Sequence, residues 1–278
     1  AELAERDDVQ VCLGRPDLVA AAAERLPALA WVQSTWAGVR PLLPLLRGRP
    51  GLTATAPKGI FGDAMAEYVL GWLVALDRRL LDYEEQQRER RWAQLPDRGL
   101  AGRRVLVLGT GSIGARVAEQ LAAFGMEVVG VSRSGRPSPA FARTWPTGER
   151  LEAAAGADVL VNTLPETDAT CGIVDAALLA ALADGAVLVN VGRGSGVHQG
   201  ALLEAIDTGR LRAAVLDVFE EEPLPAEHPF WTTPNVHVTP HVSAPTRTED
   251  IARVFAANLE RWLGGRPLEG TVDPQAGY

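Results

Sequence analysis

Three segments late in the chain carry side chains suited to binding an anion and transferring a proton. Arg193 stands between two glycines in VNVGRG, residues 189–194, and a guanidinium is a forked donor for carboxylates. Glu222 lies in LDVFEEEPLP, residues 216–225, and His241 lies in TPHVSA, residues 239–244. An imidazole titrates near neutral pH, as a catalytic proton donor should. Taken singly, Arg193 and Glu222 are more often surface charges, and His241 is as often a structural loop histidine.

Each of these segments follows a short apolar run that predicts a β-strand. From residue 102 onward such runs alternate with helical patterns, which predicts a parallel sheet covered on both faces. The carboxyl ends of the strands are where such sheets bind ligands. Strands are predicted over residues 105–108, 127–131, 159–161, 187–191, 213–216 and 236–238, and helices over 113–124, 175–182, 199–208 and 246–263.

A glycine-rich turn after the first of these strands predicts a dinucleotide site. Gly109, Gly111 and Gly114 form G-x-G-x-x-G between a predicted strand and a predicted helix, the context that makes this motif credible. The three glycines respectively permit the tight turn, the approach of a pyrophosphate, and close packing of helix on strand. The helix begins with Ser112 and Ile113, and its N-terminus would face the phosphates. A glycine turn without a ligand is the alternative.

The end of the second strand indicates which nicotinamide cofactor would bind. NAD sites usually place an acid about 20 residues beyond the glycines, whereas this strand ends in Val131-Ser132-Arg133-Ser134. Arg133 is suited to a 2′-phosphate, and the serine hydroxyls are suited to donate to it. The sequence therefore predicts NADP(H), with NAD(H) less favoured. A plain surface arginine is the alternative.

The first part of the chain predicts a smaller α/β region. Strands are expected over residues 9–13 and 29–33, and the Pro- and Gly-rich stretch 41–59 predicts loops. A long helix is predicted over 63–91, because apolar residues recur at steps of three and four. This stripe predicts core packing, with a dimer contact as the alternative. Its members are Met65, Tyr68, Val69, Trp72, Leu73, Leu76, Leu80 and Tyr83.

Composition disfavours several classes of partner. The net charge of −8 argues against a general nucleic-acid binder and against an electrostatic membrane anchor. Cys12 and Cys171 lie outside any metal-ligand spacing, which predicts reduced thiols and no metal site. No apolar run reaches the ~18 residues of a membrane span, and the acidic start lacks signal-peptide features, so a cytoplasmic protein is expected. We also expect that residues precede the first Ala, since a strand follows it almost at once.

Together the segments resemble the D-2-hydroxyacid dehydrogenase family, from about Trp31 to the C-terminus. The similarity is densest in NTLPET (162–167) and in the three segments introduced above. The Ser132–Ser134 segment and HPFW (228–231) further resemble the glyoxylate/hydroxypyruvate reductase branch. The resemblance implies reduction of a small 2-oxo acid to the 2-hydroxy acid by NADPH, and a homodimer.

The resemblance also implies a role for each catalytic candidate. Arg193 would hold the substrate carboxylate and His241 would protonate the carbonyl oxygen. Glu222 would orient the imidazole and favour its protonated form. Glu220 and Glu221 are rivals for Glu222, which is preferred because the family's acid directly precedes Pro-Leu-Pro.

Other matching positions are implied to contact substrate or cofactor. Trp36, Ala37 and Gly38 would lie in a loop that binds the substrate carboxylate, although Trp36 as an ordinary core residue is an even alternative. Leu164 and Pro165 would flank the adenosine, Asp217 would lie near the nicotinamide amide, and Ser243 at the nicotinamide end. Cofactor contacts are also expected from Thr170, Val191 and Gly192.

The predicted architecture is two α/β domains with the active site in the cleft between them. Residues 91–264 would form a doubly wound, Rossmann-type dinucleotide domain, and residues 1–90 with 265–278 a smaller flavodoxin-like substrate domain. Family members often carry an acidic pair after the arginine loop, where this chain has His198-Gln199. His228 and His237 are expected to be structural. The rival functions are an NAD-linked phosphoglycerate or lactate dehydrogenase, and a nucleotide-sensing binding protein.

Overall fold

A computed structural model describes residues 6–277 of the chain. Residues 1–5 and 278, which the predicted domain ranges include, lie outside the described residues. The strands are β1 Val11–Gly14, β2 Trp31–Ser34, β3 Thr53–Thr55, β4 Arg104–Leu108, β5 Glu127–Ser132, β6 Arg143–Pro146, β7 Val159–Asn162, β8 Ala186–Asn190, β9 Leu211–Leu216 and β10 Val236–Val238. The helices are α1 Pro16–Ala22, α2 Leu43–Gly48, α3 Gly62–Asp77, α4 Leu80–Arg88, α5 Ser112–Ala123, α6 Arg150–Ala154, α7 Ala176–Ala181, α8 Gln199–Asp207 and α9 Thr248–Leu263.

Seven parallel strands form the larger sheet, in the order β10-β9-β8-β7-β4-β5-β6. Strands β7 and β8 are buried along their whole length, which explains why they read as continuous apolar runs. The chain leaves β4 toward β5 and later returns to pair β7 on its other side, so a topological switch point lies between β4 and β7.

All six strands predicted for this sheet are present, and the prediction of a mixed α/β fold with a Rossmann-type sheet is confirmed. The seventh strand, β6, was missed because only Trp145 of its four residues is buried. The helix predicted over 175–182 begins as expected, with the Asp175 carboxylate accepting from the N–H of Leu178 at 2.8 Å.

The single long helix predicted over 63–91 is wrong, because the chain forms two helices there. Asp77, 1% exposed, ends α3 and is paired with Arg103 and with Arg212, the latter at 2.5 Å. Arg79 then adopts a left-handed φ of 58°, which breaks the helix. The stripe up to Leu76 is core as predicted, but Leu80 and Tyr83, predicted members of that stripe, are exposed.

The smaller sheet is parallel, in the order β1-β2-β3. Strand β3 and helix α2 lie within the stretch 41–59 that was predicted to be loops, and both are too short for a clear periodicity. The ring of Trp31 stacks on Phe255 and Trp262 of α9. The C-terminal tail packs on this sheet, with the N–H of Val272 donating to the carbonyl of Ala54 at 2.9 Å.

The chain divides into two compact units. Among the described residues, the smaller contains 6–61, 165–167 and 245–277, and the larger contains 62–164 and 168–244. This division differs from the boundaries proposed from sequence in that α3 and α4 lie with the larger unit and α9 with the smaller. Within residues 6–277, no helix has the length and apolarity needed to cross a bilayer.

Candidate active site

The predicted reactive residues follow three adjacent parallel strands of the larger sheet. Arg193 follows β8, Glu222 follows β9 and His241 follows β10. The carboxyl ends of parallel strands meet at one edge of a sheet, and the glycine turn after β4 belongs to that same edge. A guanidinium, a carboxylate and an imidazole therefore share an edge with the predicted dinucleotide turn.

Glu222 and His241 form a hydrogen-bonded pair. Nδ1 of His241 lies 2.7 Å from Oε2 of Glu222, and Oε1 of Glu222 accepts from the N–H of Phe219 at 3.0 Å. Because both carboxylate oxygens are engaged, the imidazole is held in one orientation, and Nε2 is the ring atom available to a substrate. The structure brings Glu222 to the imidazole, rather than its two rivals Glu220 and Glu221.

Asp217 holds the loop that carries His241. Its buried carboxylate accepts from the N–H groups of Val242 and Ser243, both at 2.9 Å, and from the hydroxyl of Thr239 at 2.6 Å. The N–H of His241 donates to the Asp217 carbonyl at 2.9 Å. His241 has a φ of 54°, a conformation that costs a non-glycine residue on the order of 1–2 kcal/mol, and these bonds hold it there.

Two buried asparagines fix the loops after β7 and β8. Nδ2 of Asn162 donates to Oδ1 of Asn190 at 3.0 Å, and Asn190 donates to the carbonyl of Arg193 at 3.1 Å. Asn162 also accepts from the N–H of Leu164 at 3.2 Å. Both asparagines lie in the motifs singled out from sequence, yet they received no role there. The available signal was an amide at the last position of a fully apolar strand.

The glycines beside Arg193 are required by packing between loops. A Cβ on Gly192 would lie 2.7 Å from the carbonyl oxygen of Leu164, and one on Gly194 would lie 1.9 Å from the carbonyl carbon of Phe219. Arg193 itself is partly buried, and its Nη1 donates to the carbonyl of Gly192 at 2.5 Å. The guanidinium is thus carried on a loop with little freedom to move.

The three glycines of the turn after β4 have distinct surroundings. Gly109 has a φ of 102°, and a Cβ on Gly114 would lie 1.9 Å from the carbonyl oxygen of Gly109. A Cβ on Gly111 would meet no atom within 4 Å, so the backbone there is open to a ligand. Helix α5, which starts with Ser112 and Ile113, has no side-chain cap. The turn therefore fits a pyrophosphate.

The end of β5 presents no carboxylate between Ser132 and Ser134. Arg133 and Ser134 are exposed. The Ser132 Oγ accepts from the N–H of Gly135 at 3.2 Å, which fixes the hydroxyl but leaves its proton to donate. This arrangement suits a phosphate dianion better than an uncharged ribose hydroxyl.

In the smaller unit, the loop after β2 gives Trp36 a fixed and accessible position. The Oγ of Ser34 accepts from the N–H of Trp36 at 2.9 Å and donates to its carbonyl at 2.7 Å. Trp36 is 38% exposed, and the guanidinium of Arg15 lies 4.6 Å from its ring centre. Trp36 is therefore not a core residue, and Ala37 and Gly38 follow it in the same loop.

The other candidates occupy varied positions. Val191 is buried directly after β8, Thr170 lies in a turn after β7, and Pro165 groups with the smaller unit.

Within residues 6–277, no three His, Cys, Asp or Glu side chains are grouped as metal ligands would be.

The remaining histidines have structural contacts. His198 caps α8 by accepting from the N–H of Ala201 at 3.2 Å. His228 accepts from the N–H of Phe230 at 3.2 Å. The ring of His237 packs on Trp72, and burial lowers the pKa of His237.

Residues 70–243, which include this whole sheet edge, match the family model for the D-isomer specific 2-hydroxyacid dehydrogenase, NAD binding domain. The chain belongs to this family. A similar curated relative is glyoxylate/hydroxypyruvate reductase A of Klebsiella pneumoniae (strain 342), 37% identical over 90% of this chain and 82% of its own length.

Solved structures of family members agree with this dehydrogenase fold. A D-isomer specific 2-hydroxyacid dehydrogenase family protein from Aeromonas salmonicida has a TM-score of 0.90 and 43% identity, covering 96% of this chain and 86% of its own. The NADPH-dependent glyoxylate/hydroxypyruvate reductase from Sinorhizobium meliloti was solved with NADP and sulfate. It has a TM-score of 0.89 and 34% identity, covering 99% of this chain and 88% of its own.

Proposed function

We propose that this protein reduces small 2-oxo acids of the glyoxylate and hydroxypyruvate type to 2-hydroxy acids, using NADPH. The observation that carries the proposal is the 2.7 Å pair of His241 and Glu222 on the sheet edge that also holds the glycine turn. The relatives from Klebsiella and Sinorhizobium support it, since both are named as glyoxylate/hydroxypyruvate reductases.

We assign the proton transfer to His241. Reduction of a carbonyl places charge on its oxygen, and a positioned acid near neutral pH speeds the reaction by ~10²–10⁴. Nε2 of His241 would donate this proton, because Nδ1 faces Glu222. Glu222 would stabilise the imidazolium and keep the ring oriented.

We assign the substrate carboxylate to Arg193. A guanidinium pairs with a carboxylate through two parallel hydrogen bonds, which fixes the orientation of the neighbouring carbonyl. The loop of Arg193 is held by Asn190 and by the close packing of its glycines. We further propose that the larger unit binds the dinucleotide and that Trp36, Ala37 and Gly38 of the smaller unit take part in binding substrate.

The cofactor is proposed to be NADP(H), and when bound it supplies the hydride. Gly111 and the uncapped start of α5 would hold the pyrophosphate. Arg133, with Ser132 and Ser134, would hold the 2′-phosphate. Solved relatives from Sinorhizobium and Xanthobacter autotrophicus are complexes with NADP and NADPH respectively, which supports this preference.

A substrate panel assayed with both cofactors tests the proposal. Glyoxylate, hydroxypyruvate, pyruvate and a bulkier 2-oxo acid are each compared with NADPH and NADH. We expect the highest kcat/KM for glyoxylate or hydroxypyruvate with NADPH, and Arg133→Ala should narrow the preference for NADPH over NADH. Binding of NADPH without turnover of any 2-oxo acid would instead identify a nucleotide-binding protein.

We also propose a homodimer in the cytoplasm. Leu80 and Leu81 of α4 are 50% and 38% exposed, and Trp92 is 100% exposed, which is unusual for so large an apolar side chain. Light scattering of the wild type and of Trp92→Ser tests the assembly, and the variant should shift toward monomer. Cell fractionation tests the location. The two free thiols and the proposed use of NADPH favour the cytoplasm.

A further inference from the structure

A path of hydrogen bonds leads from α3 to the loop of His241. The phenolic oxygen of Tyr68 lies 2.6 Å from Oγ1 of Thr239, and this Oγ1 lies 2.6 Å from Oδ1 of Asp217. Asp217 in turn accepts from the backbone N–H groups of His241, Val242 and Ser243. A side chain of α3 is therefore connected to the backbone that carries the imidazole.

The direction of the protons along this path is determined by the groups present. As a carboxylate Asp217 has no proton to give, so the hydroxyl of Thr239 donates to it. A hydroxyl has a single proton, so Tyr68 donates to Thr239. Tyr68 keeps that proton at neutral pH, because burial raises the pKa of Tyr68 to about 12.

The phenol is held in place by aromatic packing. The ring of Tyr68 meets the ring of Trp72 edge-on, with centres 6.4 Å apart. Trp72 packs on His237 of β10, with centres 5.0 Å apart. Since Thr239 follows β10 directly, α3 is fixed against the same strand whose end carries the loop.

We propose that Tyr68 is a positioning residue for the acid/base histidine, acting through Thr239 and Asp217. The inference rests on the proposed function, which makes His241 the proton donor. Without the phenol, the Thr239 hydroxyl keeps its bond to Asp217 but loses the donor that fixes its oxygen from the other side. This weakens one of the three donors to the carboxylate that hold His241 in its left-handed conformation.

Tyr68→Phe tests this, because it removes the hydroxyl and keeps the ring. We expect kcat to fall about five- to tenfold, the size of one hydrogen bond, while KM for glyoxylate and Kd for NADPH change by less than about twofold. Thr239→Val should lower kcat at least as much, and Thr239→Ser should restore it. Adding Tyr68→Phe to Thr239→Val should cause no further loss, since both act on one path.

Tyr83→Phe is the matched control. Its hydroxyl contacts the backbone of Leu95. Removing it tests the loss of a tyrosine hydroxyl that is not connected to His241, and kcat should be unchanged. A variant Tyr68→Phe with wild-type kcat, or a control with the same loss, overturns the inference.

Amide hydrogen exchange supplies a readout that needs no turnover. In Tyr68→Phe, peptides covering residues 239–244 should exchange several-fold faster, while those covering β7 and β8 should not change. If the wild type reduces no 2-oxo acid, the proposed function fails and exchange alone decides: faster exchange of this loop supports the positioning role, and unchanged exchange overturns it.

Discussion

Replacing Glu222 by Gln tests the role of the acid beside the imidazole most directly. The amide oxygen of Gln is still able to accept from the N–H of Phe219, as Oε1 of Glu222 does now. What disappears is the negative charge 2.7 Å from Nδ1 of His241. The substitution therefore removes charge with little change in shape.

The size of the effect follows from the exposure of the pair. Two unit charges ~4 Å apart interact by ~4 kcal/mol at an effective dielectric constant of ~20 and by ~1 kcal/mol in water. The side chains of His241 and Glu222 are 49% and 36% exposed, so solvent screening brings the interaction toward the lower value. We expect a loss of ~1–2 kcal/mol, which corresponds to about a five- to thirtyfold lower kcat.

The assay is the oxidation of NADPH by glyoxylate, followed by absorbance at neutral pH. Glu221→Gln is the matched control, since it removes an adjacent charge that does not contact the imidazole, and it should keep wild-type kcat. Equal losses in the two variants, or near-normal kcat in Glu222→Gln, would refute the reasoning.

Other substitutions test the catalytic assignments, the glycine turn and the buried charge at the end of α3. In steady-state kinetics, His241→Ala should lower kcat by ~10²–10⁴, and near-normal kcat would disprove its assignment as the proton donor. Arg193→Ala should mainly raise KM while also lowering kcat in the same assay. Gly114→Ala should lower the free energy of unfolding by ~1–3 kcal/mol or more, measured by urea denaturation, whereas Gly111→Ala should keep stability and weaken NADPH binding. Asp77→Ala should cost ~3–5 kcal/mol in the same denaturation experiment, because two arginines lose their buried counter-charge, and a loss under ~1 kcal/mol would contradict that account.

The sheet edge was predictable because its residues follow strands that are visible in the sequence. Apolar runs located β4, β7, β8, β9 and β10, and the candidates stand within a few residues of their ends. Once the strands are parallel, those ends must meet. The selection of Glu222 over two adjacent acids came from resemblance to a family, because local sequence places all three equally close to β9.

Contacts between distant segments were not predictable. The break after α3 depends on Asp77 meeting Arg103 and Arg212, and helical periodicity contains no information about these partners. Tyr68 was correctly placed in an apolar stripe, but its hydroxyl meets a residue 171 positions away. Side-chain partners of this kind are set by how α3 packs on the sheet.

The close approach of Gly194 to Phe219 has a consequence for engineering this protein toward other substrates. Because a Cβ on Gly194 would lie 1.9 Å from the backbone of the next loop, and because Asn162 joins the preceding loop to Asn190, the loops after β7, β8 and β9 interlock. A loop grafted alone from a relative would meet a neighbour shaped for a different backbone. Chimeras should therefore exchange residues 162–164, 190–196 and 217–222 as one cassette.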